Sequence, residues 1–130
     1  NWIAKSGMTD FDLYPNFSAH EFASPDEPGS GYRMHAEFMA RLQSVRSRCD
    51  FPFEINSGYR TAYWNQVVGG APNSAHLRGR AADIACTNSG RRFEIIDGAL
   101  ALGFRRIGIA RTFIHLDDDP ALPKRVLWLY

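Results

Sequence analysis

The side chains with the most chemical potential lie between Ser74 and Asp117. His76 and Asp83 stand seven positions apart with Gly79 between them, and His115 and Asp117 follow on a later segment. Two histidines and one carboxylate form the donor set of a catalytic zinc ion, which keeps a fourth position open for water. A structural zinc site would call for four protein ligands, usually thiolates, and Cys49 and Cys86 lack that spacing. The bland reading stands beside this one: His-X-Asp is common on strands, and a lone histidine is often just a hydrogen-bonded surface residue.

Alternation places these residues. If 79–86 is a strand, Ala81, Asp83 and Ala85 share one face and Ala82, Ile84 and Cys86 the other. In Phe113-Ile114-His115-Leu116-Asp117, Ile114 and Leu116 point to a core while Phe113, His115 and Asp117 point away. Two strands thus present polar groups on a face whose reverse is apolar. An acid flanked by alanines there needs either solvent or a cation.

The elements that must hold these strands are legible in outline. Ser18-Ala19-His20-Glu21 has the form of a capping box, flanked by Phe17 and Phe22 as a hydrophobic staple, so a short helix starts near residue 18 and stops before Pro25. The turn-rich stretch 24–31 reads as loose. Residues 33–49 predict the strongest helix, with Met34, Phe38, Leu42, Val45 and Cys49 on one stripe. A strand over 53–57, a short helix over 61–68 ended by Gly69-Gly70, and a helix over 89–102 with Phe93, Ile96 and Leu100 on its apolar side follow. Strands are expected over 104–110, 112–117 and 125–130. Early helices and late strands predict an α+β domain, helices packed on one face of a mostly antiparallel sheet.

Composition bounds the function. The 130 residues have the size of one domain, 1–130, with 45% hydrophobic and 22% charged residues, a globular balance. Fifteen basic against fourteen acidic side chains give a net charge of +1, which offers no electrostatic reason to bind nucleic acid or an anionic membrane. No apolar run approaches the roughly 20 residues of a membrane span. Nothing demands an oligomer, and a monomer is expected. The chain opens on Asn1 rather than Met and carries no signal segment, so its start reads as processed or trimmed. Cys49 and Cys86 are open to one bridge or to two buried thiols.

Taken in order, Ser57-Gly58-Tyr59-Arg60-Thr61, the run Val68-Gly69-Gly70-Ala71-Pro72-Asn73-Ser74-Ala75-His76, then Gly79-Arg80-Ala81-Ala82-Asp83 and Phe113-Ile114-His115-Leu116-Asp117 resemble the M15 family of zinc peptidases. The opening Asn16-Phe17-Ser18-Ala19-His20-Glu21-Phe22 and closing Val126-Leu127-Trp128-Leu129-Tyr130 are similar to its compact branch. The resemblance runs from about residue 13 to the end. It implies a fold shared with D-alanyl-D-alanine carboxypeptidases, murein endopeptidases, phage endolysins and the Hedgehog signalling domain. It also implies Zn2+ on His76, Asp83 and His115, peptidoglycan peptides as substrate, and action on the cell wall, whether periplasmic, extracellular or phage-encoded.

Further roles follow from the same resemblance. Arg60 matches an arginine that faces substrate, where a guanidinium could hold a carboxylate or stabilise an oxyanion; the bland alternative is a surface salt bridge. Ser74 is expected to orient the ligand loop or touch substrate. Tyr59 and Trp64 read as packing residues, and His20 and His35 as surface residues. Many M15 enzymes carry an acid three positions before the last histidine ligand, but Thr112 stands there, which leaves the general base open. Asp117, on the His115 face, is the nearest substitute, as base or as partner of a ligand; otherwise Asp117, Asp118 and Asp119 form a solvated acidic turn. The departure at Thr112 keeps alive a non-catalytic wall-binding module or a structural phage component with the same fold.

Overall fold

The computed structural model describes residues 8–130; Asn1, with its reading as a trimmed start, lies outside them. Three α-helices, α1 (Ala36–Arg48), α2 (Ala62–Val67) and α3 (Ser89–Ala101), accompany five strands. The strands are β1 (Ile55–Ser57), β2 (Ala81–Ala85), β3 (Arg106–Ile109), β4 (Phe113–Asp117) and β5 (Val126–Leu129). They form one sheet in the order β1-β2-β4-β3-β5, antiparallel except where β5 joins β3 in parallel. The α+β class expected from the sequence is the one observed.

The sheet has two unlike faces because its strands alternate. Ala82, Ile84, Ile107, Ile114 and Leu116 join one apolar cluster with Phe38, Leu42 and Val45 of α1 and Ile95 and Ala99 of α3. Phe38 meets Phe104 edge-on at 5.8 Å between ring centroids. The opposite face carries the polar residues of the same strands. Across it, the register sets Ser57, Asp83, His115, Gly108 and Trp128 in one transverse row. Asp117 and Arg106 are paired in the neighbouring row.

Several local expectations shift. The segment from Ser18 is a 3-10 turn, Ala19–Phe22, though its capping acid is in place: the Glu21 carboxylate accepts from the Ser18 N–H at 2.7 Å. Phe17 and Phe22 pack edge-on at 5.4 Å, as a staple should. Stretch 24–31 is pinned rather than loose: Ser24 N–H donates to Ser30 Oγ, and Asp26 accepts from the Ser24 and Thr61 hydroxyls. Helix α1 starts only at Ala36, because His35 is its N-cap, accepting at Nδ1 from Glu37 N–H. Helix α3 turns a different side inward. Phe93 and Leu100 are 71% and 51% exposed, while Ile95, Gly98 and Ala99 are buried. Small residues decide this, since a Cβ on Gly98 would lie 3.3 Å from Val45 Cγ1 of α1. Cys49 and Cys86 are both buried and unbridged. Among the described residues no helix is long and apolar enough to cross a membrane.

Candidate metal centre

Each candidate ligand is held by a separate local device. His76 sits in a 3-10 turn, Ala75–Arg78, whose N-cap Ser74 accepts the His76 N–H at 3.2 Å. The turn ends on Gly79 at φ 68°, and a Cβ there would strike the Arg33 carbonyl at 2.3 Å, so glycine is required twice over. Asp83 and His115 are direct partners on β2 and β4. The three side chains, all buried, place one ligand atom each within 4.8 Å of one another.

The ring nitrogens are assigned by what surrounds them. His76 Nδ1 lies 2.7 Å from the Gly58 carbonyl, so it carries the proton and leaves Nε2, 3.4 Å from Asp83 Oδ1, as the free donor. His115 is arranged the other way round. Its Nε2 lies 2.7 Å from Asp117 Oδ2, and its Nδ1 faces Asp83 Oδ1 at 2.9 Å. Each histidine thus has one nitrogen tied outward and one aimed at the same carboxylate oxygen. This donor set, with its outer partners in place, fits a zinc ion.

The electrostatics of the three groups are set by their burial and by one another. Burial lowers the proton affinity of His76. Burial would lower that of His115 too, but hydrogen bonds to Asp117 and Asp83 outweigh it and hold it above the ordinary histidine value. Asp83 is penalised by burial, yet hydrogen bonds from His115 and His76 keep it well below the usual carboxylate range.

A cleft of about 620 Å³ opens over this cluster. Arg60 reaches into it, its Nε donating to Ser57 Oγ at 3.1 Å, Nη1 to Asn65 Oδ1 at 3.2 Å, and Nη2 standing 3.5 Å from Asp83 Oδ2. It is therefore no surface salt bridge. Ser74 lines the cleft as well as capping the His76 turn. Asp117 is not part of a solvated turn: it is 1% exposed, with Oδ1 taking Arg106 Nε at 2.7 Å and Oδ2 taking His115. His35 is tied to Arg80 at 3.2 Å, away from the cleft lining. Sequence reasoning passed over Arg106, Asn65 and the Gly58 carbonyl. The parity that found His115 also puts Trp128 on this face, its ring 5.3 Å from that of His115.

The sequence profile of the Peptidase M15 family matches residues 15–117. The chain belongs to the peptidase M15 family. A stretch of 53 residues, 40% of the chain, is 42% identical to the zinc D-Ala-D-Ala carboxypeptidase of Streptomyces albus G. That stretch covers 21% of the relative, so the chain matches about a fifth of the relative's length.

Proposed function

We propose that this M15 chain hydrolyses peptide bonds of bacterial cell-wall peptides, with a zinc ion held by His76 Nε2, Asp83 and His115 Nδ1. The observation that carries this reading is the paired assignment of the histidines, one tied to Gly58 and the other to Asp117, with their free nitrogens on one carboxylate. The ion would supply Lewis acidity, acidifying a water and polarising the scissile carbonyl. The protein's own part is orientation and charge. Ser74 holds the His76 turn, and Asp117 holds His115. Arg60, fixed by Ser57 and Asn65, presents its remaining N–H groups where a substrate carbonyl or carboxylate would enter.

Of the two roles the sequence left to Asp117, partner of a ligand is the one its geometry supports. Both its oxygens are engaged, and His115 Nε2, which it holds, lies on the far side of the ring from the Nδ1 that faces Asp83. A general base must reach the water it deprotonates.

Cell-wall peptides are proposed because the named relative is a zinc D-Ala-D-Ala carboxypeptidase. Action would lie in the periplasm or outside the cell, on either a terminal residue or a crosslink, and by a monomer. Elemental analysis beside a peptidoglycan digest, with and without chelator, tests the reading. One equivalent of zinc and chelator-sensitive release of muropeptides is expected, and mass spectrometry of the products names the bond.

One observation favours a second reading, a zinc-containing binding module. Among the described residues lining the cleft, the carboxylates are Asp83 and Asp117, and both are committed. Thr112, where many relatives carry an acid, is exposed in the turn between β3 and β4. One equivalent of zinc with no released product would favour that module, or a wall chemistry other than the one digested.

A further inference from the structure

Arg106 has no place in the assignments above, yet it contacts Asp117, Trp128 and the lip of the cleft. It stands opposite Asp117 in the β3–β4 ladder. Its Nε donates to Asp117 Oδ1 at 2.7 Å and its Nη1 to the Pro123 carbonyl at 2.5 Å. Its guanidinium lies over the Trp128 ring, 5.1 Å from the centroid. Trp128 in turn lies against His115, and Asp117 holds the same imidazole by hydrogen bond. The four side chains make a closed circuit: Arg106, Asp117, His115, Trp128 and back to Arg106.

We infer that Arg106 is a positioning residue for His115, acting by two routes: it fixes the carboxylate that orients the imidazole, and it seats the indole that packs at a tilt against the imidazole. A lone carboxylate as buried as Asp117 would be poorly placed without a cation beside it, and Arg106 is that cation. Only a planar guanidinium can donate in its plane to a carboxylate and a carbonyl while stacking on an indole. The seat is completed by Gly108, where a Cβ would lie 2.6 Å from Trp128 Nε1. Through Pro123 the same side chain ties the lip of the cleft, just ahead of β5, to the ligand's support.

This inference rests on the reading of His115 as a metal ligand, and its test separates the two. Co2+ is titrated into the metal-free full chain, with visible absorption as readout, for the parent, Arg106→Ala, Arg106→Lys and Asp117→Asn. The parent is expected to bind one equivalent with a strong visible band. Arg106→Ala should bind roughly tenfold to a hundredfold more weakly, with a shifted band, the range seen when an outer partner of a ligand is removed. Arg106→Lys, which keeps a cation on Asp117 but cannot also stack and reach Pro123, should recover part of the affinity. Adding Arg106→Ala to Asp117→Asn should cost less than Arg106→Ala costs alone, since one of its two routes is already lost. If Arg106→Ala only melts earlier and binds Co2+ with the parent's affinity and band, the inference fails while the metal site stands. Should Arg106→Ala not fold, parent-like affinity and band in Arg106→Lys and Asp117→Asn together would overturn it. A parent chain that takes up no Co2+ would overturn the metal site and the inference with it.

Discussion

Asp83 and His115 face each other directly across the β2–β4 ladder, with Asp83 Oδ1 2.9 Å from His115 Nδ1. Asp83 Oδ1 is thus the point on which a nitrogen of each histidine converges. Replacing Asp83 by Asn keeps the shape and removes the charge. Asp83→Asn should fold but lose metal uptake, read as less than a tenth of an equivalent of zinc after dialysis. The pH dependence of the metal-free chain should change as well. Hydrogen bonds from His115 and His76 outweigh the burial penalty and depress the Asp83 pKa below its ordinary 3.8. The stability this adds is present above that value and drains away as pH falls below it. Urea melts between pH 5 and pH 3 should show a shallower acid loss in Asp83→Asn; an unchanged acid limb would contradict the assignment.

Asp117 offers a decisive contrast between two roles. An outer partner of a ligand governs metal affinity, whereas a general base governs turnover with the metal in place. Asp117→Asn is expected to weaken zinc binding about tenfold to a hundredfold, measured by competition with a chromophoric chelator. Full zinc affinity with turnover lost would restore the base.

How much of this was legible depends on which force set each feature. The pairing of Asp83 with His115 follows from alternation, since Ile84, Ile114 and Leu116 must be buried and a strand sends their neighbours the other way. The capping acid at Glu21 and the staple of Phe17 on Phe22 were legible because they are local. The inward side of α3 was not, because a pattern of large apolar residues selects Phe93 and Leu100. The packing is set instead by Gly98 and Ala99, whose small size lets α3 approach α1. Arg106 escaped notice for a different reason: its three partners, Asp117, Pro123 and Trp128, are brought together only by the register of β3 with β4 and β5. The tie from His76 to the Gly58 carbonyl is likewise a tertiary fact, with no residue type to announce it.

The thiols supply a test of the core. Burial pushes the Cys49 pKa above its ordinary 9.0, with the nearby Glu94 carboxylate adding to the effect. A raised folded-state value means stability is intact below that ordinary value and is lost as pH climbs from it through the raised one. Cys49→Ala should therefore flatten the alkaline loss of stability above about pH 9, followed by thermal melts in a pH series. In the parent chain at pH 8, Cys49 should resist alkylation until denaturant is added, because the thiolate is the reactive form. Rapid native-state labelling of Cys49 would show the core to be open there.

Gly70 controls Arg60 without touching the metal cluster. A Cβ built on it would lie 2.1 Å from Asn65 Oδ1 and 2.9 Å from Arg60 Nη1, so even alanine must displace one or both. Asn65 is 4% exposed and also donates to the Ala71 carbonyl at 2.9 Å, which leaves it little room to yield. Any shift of Asn65 Oδ1 also takes away the acceptor that holds Arg60 Nη1, so the tip of Arg60 in the cleft moves with it. A misplacement of about 1 Å in a substrate-facing group can cost on the order of a hundredfold in rate. Gly70→Ala is accordingly expected to retain one equivalent of zinc while kcat/KM on cell-wall peptides falls tenfold to a hundredfold. Arg60→Ala should show a similar loss, and adding Gly70→Ala to it should cost little more, because the group being displaced is already gone. Full activity in Gly70→Ala would mean that Arg60 has no part in holding or polarising the substrate.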